Sequence, residues 1–106
     1  MDNCFTIAGR VAKLSATRYS PAGIPISRFV LEHHSEQREA GIARQARCRI
    51  VVIAAGAALQ ASVAELATGV TARVMGFISR SDYRQGDTRL VLHAERIERL
   101  EQPSEG

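Results

Sequence analysis

Residues 70–100 hold the pattern that most narrows what this chain can become. Val70, Ala72, Val74, Gly76 and Ile78 alternate with Thr71, Arg73, Met75, Phe77 and Ser79. Alternation with period two is the mark of a strand that turns one face to a core. Leu90-Val-Leu-His-Ala-Glu-Arg-Ile starts a second strand in that phase and loses it near Ala94 and Glu95. A bulge or bend is predicted there. The two arms, Val70–Ser79 and Arg89–Glu98, are joined by a connector too long for a two-residue turn. The connector carries Arg80, Tyr83 and Arg84 and runs into Arg89. Basic residues around one aromatic ring make a candidate arm for a polyanion with stackable bases.

The remaining chain supplies further strands. Cys4–Leu14 reads as a long first strand, and Gly9 inside it predicts a sharp bend where one strand serves two sheets. Ser20-Pro-Ala-Gly-Ile-Pro follows with the proline and glycine of a tight turn. Ile24–His34 reads as a second strand, Ser35–Ala43 as a polar loop and Arg44–Ile53 as a third strand. In that third strand Arg47 and Arg49 share one face, and Cys48, Ile50 and Val52 share the other. Gly56–Ala67 has helical apolar spacing at Leu59, Val63 and Leu66, with Gly69 placed to end it. The order is therefore β-β-β-α-β-β. An all-β, five-stranded barrel with a short helix between the third and fourth strands fits this order: the oligonucleotide/oligosaccharide-binding fold, or OB-fold. One domain over 1–100 and a short polar tail over 101–106 are expected.

Composition limits the function classes. At 106 residues and 45% hydrophobic content, the chain can fold as one domain with a modest core. It contains no apolar run of the ~18 residues that a membrane helix needs, and no charged-then-apolar leader opens it. A soluble, cytoplasmic protein with no membrane partner is expected. Cys4 and Cys48 have neither metal nor redox spacing and read as reduced thiols. Net charge is only +3, yet Lys13 is the sole lysine among 14 basic residues. Arginine grips phosphate in bidentate fashion and stacks on bases, which suits nucleic acid. An arginine-rich solubilising surface is the competing reading. Eight of these bases lie between Arg10 and Ile50, against three acids.

Catalytic chemistry finds little footing. His33 and His34 would point to opposite faces of a strand, so they do not share a metal easily. No nucleophile elbow, phosphate-binding loop or dinucleotide fingerprint is present. Glu32 and Glu95 are expected to pair with arginines rather than form a catalytic couple, and Arg73 and Arg96 to pair with acids across the sheet. No enzyme activity, metal or cofactor is expected.

An OB barrel binds through its second and third strands and the loops between strands one and two and between strands four and five. Those places hold Arg18, Tyr19, Arg28, His34, Arg47, Arg49 and the 80–89 connector. Phe77 has a competing reading as an ordinary core ring, while Phe5 and Phe29 are assigned to the core.

Ser20-Pro-Ala-Gly-Ile-Pro, Phe29-Val-Leu-Glu-His, Ala40-Gly, Arg44-Gln-Ala, Gly76-Phe-Ile-Ser and Val91-Leu-His-Ala-Glu together resemble the PriB family of primosomal replication proteins. The resemblance spans roughly Phe5 to Leu100. It implies a homodimer of OB-folds that binds single-stranded DNA and works with the PriA helicase and DnaT in reloading the replicative helicase. It also implies DNA contacts at Arg18, Arg44, Phe77, Arg84 and Arg89. His34 stands where a family member has arginine, so its charge there depends on pH. Ile42 and Arg47 replace two stacking aromatics of the family pattern, and Asp82 replaces a lysine. The Arg47 guanidinium and the Tyr83 ring are expected to compensate in part. Weak DNA binding, with an adaptor role toward PriA as the alternative function, follows from those departures.

Overall fold

The computed structural model describes residues 1–80 and 89–101. Six strands appear among them: β1 (Phe5–Leu14), β2 (Arg18–Tyr19), β3 (Pro25–Glu39), β4 (Ile42–Ala55), β5 (Thr71–Arg80) and β6 (Leu90–Leu100). β2 is a two-residue strand on the edge of β3, and the other five close a barrel. Around the ring the order is β1-β5-β6-β4-β3 and back to β1. Neighbours run antiparallel except β4 and β6, which pair in parallel at Val51 with Val91, Val52 with Leu92 and Ile53 with His93. The expected five-stranded OB barrel is therefore the fold observed.

Closure depends on β1. Its first half, Phe5 to Arg10, pairs with β5, and its second half, Arg10 to Leu14, pairs with β3. The strand changes partner at Gly9–Arg10, where the sequence predicted a bend. A Cβ on Gly9 would lie 2.3 Å from the Glu32 carbonyl oxygen, so only a bare backbone fits the crossing. The predicted loss of phase in the last strand is a bulge. Met75 faces Arg96 while Gly76 faces Ala94, leaving Glu95 as the extra residue. Gly76 sits against that bulge, and a Cβ there would lie 1.8 Å from the His93 carbonyl oxygen.

The inward positions of the alternating strands fill the barrel. Val11, Phe29, Leu31, Val52, Ala54, Ala72, Val74, Leu92 and Ile97 are buried, with Phe5, Ile7 and Ile50 packed against them. The connection from β4 to β5 adds Val63 and Leu66 to the same core. The helix there is shorter than Gly56–Ala67. Ala57–Leu59 winds as a 3-10 turn and α1 covers only Gln60–Ala64. Leu59, at the helix start, offers no side-chain cap, and the first turn carries no acid. A helix this short holds through the burial of Val63 rather than through its own propensity.

Ser35–Ala43 is the longest segment whose expected state differs in kind. Instead of a loop, β3 runs on to Glu39 and β4 starts at Ile42, and all positions between pair in register. Ala40 (φ 53°) and Gly41 (φ 80°) close the hairpin as a two-residue turn with both central residues in the left-handed region. Both faces of this arm are solvated, so no apolar alternation marks it in the sequence.

Crowding at the two barrel glycines gives a stability prediction. Gly9→Ala and Gly76→Ala each force backbone to move and should cost about 1–3 kcal/mol or more. Chemical denaturation of both variants measures this, and Gly76→Ala, with the tighter clash, should show the larger drop in midpoint.

Candidate nucleic-acid interface

Directly paired residues on neighbouring strands point to the same side of the sheet. The register therefore assembles an outer surface rung by rung. Arg18 of β2 lies beside Ile26 of β3, which lies beside Ala55 of β4. The next rung on the same side is Arg28, Ile53, His93 and Phe77, crossing β3, β4, β6 and β5. After it comes Lys13, Val30, Val51, Val91 and Ser79. Then follow Arg10, Glu32 and Arg49, and finally His34 with Arg47 on the arm. The middle of this band is apolar and its borders carry arginines.

The expected site residues are distributed as follows. Arg18, His34, Arg47 and Phe77 all lie on the band. Phe77 is 39% exposed, which removes the reading of it as an ordinary core ring. Phe29, at 1%, is core as expected. Arg44 belongs to the other side of the arm, since it pairs with Gln37 and lies an odd number of residues from Arg47. There its guanidinium meets Glu39 at 3.2 Å. Arg89 is exposed and precedes β6 by one residue. It stands two residues before Val91, as Arg49 stands two before Val51, so both lie toward the same end of the parallel β4–β6 pair. Tyr83, Arg84 and Asp82 lie outside the described residues, as does the tail from 102.

The charges on the band differ in how free they are. Arg49 Nε contacts Glu32 Oε2 at 3.2 Å, with both side chains about half exposed. Arg73 and Arg96 both meet Glu98, at 3.5 and 2.9 Å. Arg49–Glu32 and Arg73–Glu98 are pairs across the sheet as expected, whereas Arg96 meets its acid along its own strand, β6. Arg18, Arg28 and Arg47 have no such partner among the described residues. His34 Nε2 donates to Gln45 Oε1 at 2.6 Å, which turns its ring along the arm. Beside Arg47 and Arg49, where β1 leaves β3 for β5, an open groove of about 1080 Å³ is also lined by Arg10, His33 and Thr71. His33 bridges the parting strands through its Nδ1 bond to Ala8 O at 2.6 Å, while its Nε2 bonds to Ser35 Oγ of its own strand at 2.6 Å.

Sequence reasoning missed His93 and Ile53. His93 stacks on Phe77 with ring centroids 4.8 Å apart and planes 16° apart. Its Nε2 shares a 2.6 Å hydrogen bond with Ser79 Oγ. The only sequence signal for this was the alternation that puts Phe77, Ser79 and His93 on outward positions. Cys4 and Cys48 are both free and exposed. No group of three or more metal-ligating side chains occurs among the described residues.

The fold and its surface define a small barrel of the single-strand-binding type. A family model described as "Another single-strand binding protein family" matches residues 3–96. The replication restart protein PriB of Photorhabdus laumondii is 48% identical over 99 residues, which is 93% of this chain and 94% of that protein. PriB of Photobacterium profundum is 47% identical over 98 residues, covering 92% and 94%. PriB of Ralstonia solanacearum superposes with a TM-score of 0.79 at 26% identity, over 93% of this chain and 98% of that one. A Plasmodium falciparum single-strand-binding protein, solved with single-stranded DNA, matches the fold with a TM-score of 0.76 at 12% identity, over 95% and 97%. The chain belongs to the PriB family of replication restart proteins.

Glu32 is the acid set between Arg10 and Arg49 on adjacent strands. Glu32→Gln should release Arg49 to polyanions, so the variant should elute from a heparin column at higher salt than the parent. Its stability should change by about 1 kcal/mol or less, as for exposed ion pairs generally.

Proposed function

We propose that this protein binds single-stranded DNA as a component of the replication-restart primosome, acting beside the PriA helicase and DnaT when the replicative helicase is reloaded. One observation carries the reading: the outer band, on which Arg18, Arg28 and Arg47 stand without acid partners among the described residues, around Val30, Val51, Ile53 and Phe77. Guanidinium groups on the borders meet phosphates and release their counterions. Apolar and aromatic side chains between them meet base faces. Contacts of both kinds are indifferent to base identity, so little sequence preference follows. Arg84, Tyr83 and Arg89 belong to the same reading as the connector's contribution. Arg44, held by Glu39 on the other side of the arm, joins if DNA follows the arm around its edge. The protein acts by binding and is no enzyme, and its place of work is the cytoplasm.

A homodimer completes the proposal. Residues Phe5 to Gly9 of β1 pair with β5 on one edge only, and no strand covers their other edge among the described residues. An open strand edge invites a second copy, and antiparallel pairing of β1 with its mate gives twofold symmetry. The domain is taken as 1–100, with the residues after it as a tail.

A second reading, an adaptor that serves mainly to hold PriA, draws on Ile42. This side chain is 65% exposed at the tip of the arm, where the family has a stacking aromatic. With Arg47 in place of the other aromatic, base stacking contributes less and protein contact more.

Labelled oligo-dT should bind at low salt with an anisotropy rise that collapses as salt increases. Light scattering on the same sample should give the mass of two chains. Arg18→Glu with Arg47→Glu should lower affinity by roughly tenfold or more and flatten the salt dependence. Absence of binding at low salt, or a preference for duplex, defeats the main reading. If the doubly reversed variant loses DNA yet stimulates PriA like the parent, the adaptor reading replaces it.

A further inference from the structure

The ring of His93 lies where nothing in the barrel requires an aromatic. It sits on the outer surface, half-buried, directly across from Phe77 on β5. The two rings stack at 4.8 Å with only 16° between their planes. An exposed phenylalanine on a strand normally swings between staggered rotamers. Here one of its faces is occupied by the imidazole, and the imidazole is itself tied to Ser79, two residues along β5 on the same outward side. The bulge at Glu95 begins two residues beyond His93 and sets the register that brings His93 opposite Phe77. Thus Ser79 fixes His93, and His93 fixes Phe77.

We infer that His93 is a positioning residue that holds the Phe77 ring in place as a platform on which a nucleobase stacks. The inference rests on the single-stranded DNA reading above and adds to it a residue and a mechanism. A loose ring must be ordered when a base arrives, and that entropy is subtracted from the stack. A ring already held against a second ring avoids the loss. Ile53 lies next to His93 on β4 and Arg28 next to Ile53 on β3, so a base on Phe77 has phosphate-binding charge on the same rung. This chain has no tryptophan, and the positions of two family aromatics hold Ile42 and Arg47. A preorganised Phe77 is the ring among the described residues best placed to supply stacking.

The test separates base stacking from phosphate binding. Affinities are measured for labelled oligo-dT and for an abasic oligomer of the same length, and their ratio reports the contribution of the bases. Phe77→Ala should reduce that ratio by about tenfold. His93→Ala should reduce it by roughly three- to tenfold, leaving abasic binding unchanged. The double variant should be no weaker than Phe77→Ala alone, since the two residues act as one unit. His93→Phe, which keeps a ring under Phe77 but not the bond to Ser79, should recover part of the ratio, to about the level of Ser79→Ala. If His93→Ala loses its cooperative melt, Ser79→Ala is read in its place, because it untethers the ring without removing it. A parental ratio in both His93→Ala and Ser79→Ala overturns the inference, as does additivity in the double variant or failure of His93→Phe to rescue. Should the parent itself bind neither oligomer, the DNA reading falls and takes this inference with it. If the parent binds but discriminates nothing, only the inference falls.

Discussion

The double pairing of β1 is the constraint on which everything else depends. A single strand bonds to β5 through Arg10 and to β3 from Arg10 onward. That one strand converts a sheet into a closed ring. Closure places the buried set in the interior and leaves every alternate side chain on the outside. The condition is a backbone approach at Gly9 that leaves no room for a side chain. Where the strands part beyond that crossing, His33 spans the gap from β3 to Ala8 O of β1 through its Nδ1. The free edge of β1 and the groove beside Arg10 both result from the same parting.

Closure also explains why residues distant in sequence form one band. Outward positions on β3, β4, β6 and β5 are related by register alone. The three parallel rungs between β4 and β6 are what bring Ile53 to His93 and hence Arg28 toward Phe77. A slip of one residue at that junction would turn His93 inward and bring Leu92 out. The bulge at Glu95 absorbs the mismatch between the β4–β6 register and the antiparallel register that β6 keeps with β5 farther along.

How much of this could be read beforehand varied with the physical signal. Half-buried strands write their state into the sequence as alternation, so β5, β6 and most of β1 and β4 were legible, as was the bulge from the broken phase at Ala94. The tip of the arm over 35–43 was not, because a hairpin with two wet faces has no apolar period and is held by backbone bonds and a turn. Ala40 in the left-handed region gave no compositional warning either. The band was half legible. Parity alone sets Arg47 with Arg49 and apart from Arg44, which the resemblance groups with the contacts without reference to faces. His93 could not be assigned until the register of β6 was known, since its meaning lies in what it faces.

The remaining question is why a polyanion-binding surface keeps acids on it. Glu32 stands between Arg10 and Arg49, and Glu98 between Arg73 and Arg96. An exposed ion pair is worth about 1 kcal/mol or less, so these carboxylates hold their arginines only lightly. A phosphate can displace such a partner, since it brings equal charge and also releases condensed counterions. The acids therefore subtract little from binding where several phosphates arrive together, and proportionally more from the capture of isolated anions. On the proposed DNA-binding reading, Arg18, Arg28 and Arg47, which have no acid partner among the described residues, make first contact, and the paired arginines engage as a strand is laid along the band. A surface built this way favours length of strand over single charges.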